Sequence, residues 1–138
     1  MFRKSHLFCL LITLIASPLT AAPTPTAKEA KTFVDQYNKD YLKLTVKGSR
    51  SSWVKETYIT DDTETISDEA QTELMAYATA AMRDARRFDK VKVDAATRRS
   101  LTLIKLGDPA PQDRPSLEEL TAVTGKMSSL YGKKKICD

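Results

Sequence analysis

Residues able to make and break covalent bonds are scarce in this chain. It has one histidine, His6, and two cysteines, Cys9 and Cys137. His6 and Cys9 both fall within the first 21 residues, which read as a leader that is removed. Cys137 is then the only cysteine left, and no histidine remains. Structural zinc sites use four ligands and catalytic ones three, drawn mostly from His and Cys. Carboxylates alone favour harder ions. A zinc site, a Ser-His-Asp triad and a Cys-His pair are all out of reach. No catalytic and no metal-binding residue is therefore predicted, and no cofactor is expected to be bound by this chain itself. An odd cysteine in an exported chain points to an intermolecular bond, a free thiol or a partner that is missing. Three lysines beside Cys137 (Lys133, Lys134, Lys135) could lower its pKa and make it reactive.

The leader has three parts. Met1 to His6 carries Arg3 and Lys4 with no acid, Leu7 to Ala16 is apolar, and Ser17-Pro18-Leu19-Thr20-Ala21-Ala22 supplies a breaker and small residues. That is the make-up of a secretory signal peptide. The apolar run is about half the roughly twenty residues a membrane span needs, so no stable membrane span is expected after cleavage. A cut after Ala21 avoids leaving Pro23 at the first mature position. Leu7-Phe8 are too large to make Cys9 a lipidation site. Pro23-Thr24-Pro25 reads as a short extended spacer. The expected destination is the periplasm or the exterior.

Losing Arg3 and Lys4 leaves 20 Lys+Arg against 18 Asp+Glu, a net +2 where the whole chain has +4. The signs are interspersed, and no one-sided basic face with interleaved aromatics is present, so nucleic acid is not an expected partner. The lysines near the end read as a solvated helix end. Arg83, Arg86 and Arg87 read as charges complementing a helix C-terminus.

Four helices account for the rest. Thr26-Ala27-Lys28-Glu29 is a capping box, and Ala30, Phe33, Val34, Tyr37, Tyr41 and Leu44 recur at helical spacing. Gly48 interrupts, then Trp53, Val54 and Tyr58 resume an apolar face. The expectation is one long helix, bent near Gly48 and ending near Tyr58. A second helix is expected to start with Asp61 as cap and Glu64 at N3. Its stripe runs Ile66, Ala70, Leu74, Tyr77, Ala78, Ala81, Ala85, Phe88, and its alanines imply close packing on a neighbour. Asp94 opens a third helix with Ala95, Ala96, Leu101, Leu103, Ile104 and Leu106 as its apolar positions and Gly107 as C-cap. Residues 108–115, with three prolines, are expected to be non-helical. Ser116-Leu117-Glu118-Glu119 is read as the capping box of a fourth helix with the stripe Leu120, Val123, Met127, Leu130, closed by Tyr131-Gly132. No segment alternates with period two for long enough to be a strand, and there is no internal repeat.

Three stretches carry a family resemblance. Trp53-Val54-Lys55-Glu56-Thr57-Tyr58-Ile59-Thr60-Asp61-Asp62-Thr63 resembles the early region of angiotensin-converting-enzyme-like peptidyl-dipeptidases. There a Trp on the first long helix precedes an Ile-Thr-x-x-Thr helix start. Ala85-Arg86-Arg87-Phe88-Asp89 is similar to the family's Ala-Arg-Lys-Phe-Asp. Tyr131-Gly132-Lys133-Lys134-Lys135-Ile136-Cys137 is similar to its Tyr-x-x-x-x-Val-Cys. Trp53, Tyr58, Thr60, Arg86, Phe88, Asp89 and Tyr131 are thus the family-motif positions. The resemblance covers residues 26–138 but only the beginning of the family's catalytic domain. It implies an exported zinc metallopeptidase that removes C-terminal dipeptides from small peptides. It also implies a mostly helical ellipsoid with a deep channel, whose His-Glu-x-x-His helix lies outside this sequence. Residues 26–89 would roof that channel, and the remainder of the catalytic domain would be the chain's partner. Cys137 would match the first cysteine of a family disulfide whose mate follows beyond Asp138.

The expected fold class is all-α, with four helices, the first two long, forming the N-terminal lid of a larger helical zinc peptidase. The expected organisation is a signal peptide over 1–21 and a truncated catalytic-domain portion over 22–138, inactive alone. The competing expectation is a stand-alone exported helical protein that binds a partner.

Overall fold

The computed structural model describes residues 24–134, all α-helix and connecting turns, with no strand among the described residues. The expected leader over 1–21 and Cys137 lie outside the described residues.

Helix α1 (Ala27–Thr57) starts where the capping box places it. The Thr26 hydroxyl accepts from the Glu29 N–H at 3.2 Å, and the Glu29 carboxylate accepts from the Thr26 N–H at 2.7 Å. The helix continues unbroken through Gly48 to its C-cap, Tyr58, with no left-handed residue among the described residues. Gly48 is there for packing. It is buried, and a Cβ in its place would lie 3.1 Å from Gln71 Nε2. Ala30 and Val34 are buried and Phe33 and Tyr37 half-buried, as their spacing predicts. Tyr41 of the same stripe is exposed, and beyond Gly48 the expectation fails altogether. At 3.6 residues per turn the covered face continues through Ser52 and Lys55, which are polar, while Trp53, Val54 and Tyr58 point outward. Periodicity of position outranks apolarity of residue.

Helix α2 (Asp61–Ala85) begins one residue earlier than expected. Thr60, not Asp61, is the N-cap, and Thr63, not Glu64, occupies N3, each side chain bonding the other's backbone at 3.3 and 3.0 Å. The Thr63 hydroxyl also donates to the Tyr58 carbonyl at 2.6 Å, tying the helix start to the end of α1. Ala70, Ala81 and Ala85 are buried as expected, but Ile66 is exposed and Ser67, Thr72, Thr79 and Met82 are buried as well. The buried set is broader than one stripe because α1, α3 and α4 all pack on α2. A 3₁₀ turn over Arg86–Phe88 follows and turns Phe88 fully inward.

Helix α3 (Ala95–Lys105) is capped by Asp94, which accepts from the Thr97 N–H at 2.9 Å. Thr97, Leu101 and Ile104 are buried. Ala95, Ala96, Leu103 and Leu106, expected on its apolar face, are exposed. Leu106 rather than Gly107 is the C-cap, and Gly107 does not adopt positive φ. Helix α4 (Arg114–Lys133) starts earlier than the expected Ser116. Asp113 is the N-cap and accepts from the Ser116 N–H at 2.9 Å. Arg114 and Pro115 are helical after all, since a first-turn proline has no hydrogen bond to lose. Its expected stripe also fails. Leu117, Thr121, Gly125 and Ser129 are buried at strict four-residue spacing, and Leu120, Val123, Met127 and Leu130 face outward.

The apolar core sits at one end of the molecule. Ala30 and Val34 of α1, Ala81 and Ala85 of α2, Phe88 of the turn, and Leu101 and Ile104 of α3 form it, flanked by Phe33, Tyr37, Val91 and Val93. Phe88 is its largest member, 5.5 Å centroid to centroid from Phe33, with the Arg87 guanidinium 4.6 Å above its ring.

Phe88→Ala should therefore cost about 3–5 kcal/mol, read as a fall in the denaturation midpoint. A loss under about 1 kcal/mol would mean the core collapses around the gap. A second expectation concerns acid. Hydrogen bonds from Thr26 hold Glu29, from Thr97 hold Asp94 and from Ser116 hold Asp113 below the usual carboxylate range. Carboxyls depressed in the folded state stabilise it fully above their unfolded pKa, about 4, and lose that contribution as pH falls through the lower folded value. Helical dichroism should thus decline below about pH 4, and a pH titration that shows helicity rising there would contradict the capping roles.

Candidate functional site

The end opposite the core is built differently. Where the second half of α1 and the first half of α2 meet α4, the contacts are hydroxyls, an amide and charges. The Thr72 and Thr121 hydroxyls bond each other at 2.7 Å in the buried α2–α4 contact. Gln71 Nε2 donates to the Ser52 hydroxyl at 3.2 Å, and the Ser52 and Ser67 hydroxyls lie 3.5 Å apart. Lys55 leaves only 8% of its side chain exposed. Its ammonium donates to the Ser128 hydroxyl at 3.3 Å and lies 3.4 Å from Glu56, to which Ser128 in turn donates at 3.1 Å.

Asp68 is a further charge in this seam. A side chain at Gly125 would overlap the Asp68 carboxylate, so the missing Cβ is what lets α4 pass over it. Burial pushes the Asp68 carboxyl above the usual range and the Glu64 charge adds to this, while the positive Lys55 pulls the other way. Lys55, Asp68, Gln71 and Ser128 line a cavity of about 380 Å³ with Met75, Leu120 and Thr124. Two more ion pairs join the helices: Lys47 to Glu73 between α1 and α2, and Lys133 to Glu64 at 3.0 Å between α4 and α2. The Lys133 bond holds Glu64 below the usual carboxylate range. The seam thus brings hydroxyls, an amide and charges of both signs together.

The family-motif positions fall at both ends of α2, whose 25 residues span about 37 Å. Trp53 and Tyr58 are exposed near the α1–α2 corner, where Thr60 caps α2. Tyr131 is 81% exposed on α4. It belongs to the same end, because a Cβ on the adjacent Gly132 would lie 2.8 Å from Ile59 Cδ1. Phe88 is in the core at the far end. Asp89 pairs with Lys105 of α3, whose bond depresses its pKa, and Arg86 is exposed in the turn. The positions are not one site.

A protein-family model, Peptidase M2, described as angiotensin-converting enzyme, matches residues 24–138. The chain belongs to this family. No solved structure matches it. In this M2 chain the motif residues divide into those that secure helix ends and core (Thr60, Phe88, Asp89) and those left open to solvent (Trp53, Tyr58, Tyr131, Arg86). No group of three or more His, Cys, Asp or Glu among the described residues is placed to hold a metal ion. The zinc that M2 peptidases use therefore does not fit the described residues. No helix among them is long and apolar enough to cross a membrane.

Sequence reasoning missed Lys55, Asp68, Gly125 and Ser128. Two signals were available. Lys55 keeps the register of Gly48 and Ser52 on α1. Gly125 stands mid-helix, where a glycine costs about 1 kcal/mol relative to alanine and calls for a reason such as close approach. Gly125→Ala should accordingly destabilise the chain by about 1–3 kcal/mol through overpacking. A neutral or stabilising substitution, as helix propensity alone would give, would show that α4 does not press on Asp68.

Proposed function

We propose that this chain is the N-terminal helical portion of an exported zinc peptidyl-dipeptidase, and that α1 and α2 roof the channel through which small peptides reach its catalytic centre. The observation that carries this reading is the family match over residues 24–138. Zinc and the residues that bind it belong to the remainder of the catalytic domain, which is the proposed partner. Residues 1–21 are read as the signal peptide that exports it, and Cys137 as half of a disulfide closed with that remainder. In this reading the helices limit entry and break no bond.

The outward-facing side chains agree with such a partner. Trp53, Val54 and Tyr58 at the end of α1, Ile66 on α2, and Met127, Leu130 and Tyr131 on α4 are all exposed. Isolated exposed apolar residues need no explanation, but extended exposed apolar surface marks interaction.

The purified chain should be helical by far-UV dichroism, weakly cooperative on melting and positive for a dye that binds apolar surface. It should retain no stoichiometric zinc after dialysis and release no C-terminal dipeptide from a test peptide. A cooperative, dye-negative monomer melting above about 60 °C would sink this reading in favour of a stand-alone helical protein. One tightly held zinc per chain with chelator-sensitive dipeptide release would place the chemistry in these helices instead.

A further inference from the structure

We infer that the outer ridge of α1 docks this chain on the surface of an anionic lipid bilayer. Lys39, Leu42, Lys43, Val46, Lys47 and Arg50 share one patch of that helix. Lys39 stands about two and a half turns from both Ala30 and Gly48, which are buried, so the patch lies opposite the packed face of α1. All its members are exposed, Leu42 by 64%. Bases and acids that are interspersed along the sequence are sorted by the helix. The only acid from Lys39 to Trp53 is Asp40, which is half-buried and accepts from Gln36 at 2.7 Å and from Tyr77 of α2 at 3.4 Å. Asp35, at the start of the ridge, is paired with Lys31, and Glu73 of α2 with Lys47. Lys39, Lys43 and Arg50 have no ion pair among the described residues. This face is basic on one side, where the sequence led us to expect mixed signs.

Make-up and shape together select the occupant. Free cations call for an anionic partner, and the apolar side chains among them call for one with an apolar layer beneath its charge. A bilayer with acidic headgroups has both at one surface. Leu42 and Val46 can enter the acyl boundary while the neighbouring lysines and Arg50 keep their charges among the headgroups, as on interfacial helices. Trp53 continues the line, 69% exposed, and tryptophan favours the headgroup level. The patch is lined by α1 alone, so it is convex. A peptide would find no second wall there, whereas a broad flat surface meets a rod along its outermost line. The ridge needs nothing from the peptidase reading and shares with it only Trp53, which stands near the α1–α2 corner.

The test adds vesicles to the full chain, either mixed phosphatidylcholine and phosphatidylglycerol or phosphatidylcholine alone, and follows tryptophan emission. Trp53 is the chain's only tryptophan, so the signal reports this ridge rather than the apolar residues 7–16. A saturable shift to shorter wavelength is expected with the anionic vesicles alone. It should vanish near about 1 M salt, where the screening length is about 3 Å. The double substitution Lys43→Glu with Arg50→Glu should weaken binding at least about tenfold at unchanged helicity. Leu42→Ser should weaken it too, which charge attraction without apolar contact would not produce. Should the double variant lose helicity, Lys39→Gln with Lys43→Gln replaces it, while Lys47 stays because it pairs with Glu73. No shift, an equal shift with neutral vesicles, or unchanged affinity in the charge-reversed variant would overturn the proposal. So would the same shift on soluble polyglutamate, which would make the ridge a site for an acidic protein.

Discussion

Helix α2 is packed by α1, α3 and α4 at once, and that constraint governs the rest of the molecule. A helix approached from three sides cannot carry large side chains on all of them. The buried residues of α2 are Ser67, Ala70, Thr72, Thr79, Ala81, Met82 and Ala85, six of the seven small. The neighbours respond in kind. Apart from Lys55 and Leu117, α1 offers Ala30, Val34 and Gly48, and α4 offers Thr121, Gly125 and Ser129, so backbones come close and most bulk goes elsewhere. The bulk goes to the turn after α2, where Phe88 fills the space between α1 and α3, and to the outer faces of α1 and α4.

Much of the fold was legible from local chemistry. The Thr26–Glu29 box, the Asp94 cap and the end of α1 at Tyr58 stand where their residues predict. The all-α class also follows from the recurrent three-and-four spacing. Errors arose where two local signals competed. Thr60 and Asp61 are both good N-caps, and the one whose N3 partner could also reach Tyr58 won. Asp113 and Ser116 are likewise both good caps, and a proline between them misled the reading although the first turn tolerates it. The seam was the least legible part. A rule that assigns the apolar face of a helix to the interior inverts α4, because the tightness of its contact with α2 favours Thr121, Gly125 and Ser129 over Leu120 and Met127. The alanines of α2 and the mid-helix Gly125 signal close approach, but they do not say which helix comes near.

Membership of the angiotensin-converting enzyme family gives the motif residues an order that proximity does not. Those that define the ends of α2, Thr60 and the Arg86–Asp89 turn, set its length and its entry and exit directions. Trp53, Tyr58 and Tyr131 lie at the corner where α1 passes into α2 and where α4 ends, and there they face outward. A recognisable family pattern is thus compatible with a set of residues that never meet, provided each fixes the course of the same central rod.

The placement of all seven fully hydrophobic core members at one end of α2, with hydroxyls and ions at the other, makes the two ends unequal as cooperative units. Around Ala81–Ala85 and Leu101 the packing is apolar and closes on Phe88. Helix α4 meets its neighbours through buried Leu117 and through Thr72–Thr121, Lys55–Ser128 and Lys133–Glu64, bonds that water replaces at small net cost. The same long α2 is accordingly packed around a large aromatic side chain at its C-terminal end and against hydroxyls and ions at its N-terminal end, a polarity of packing produced by the choice of side chains along one helix.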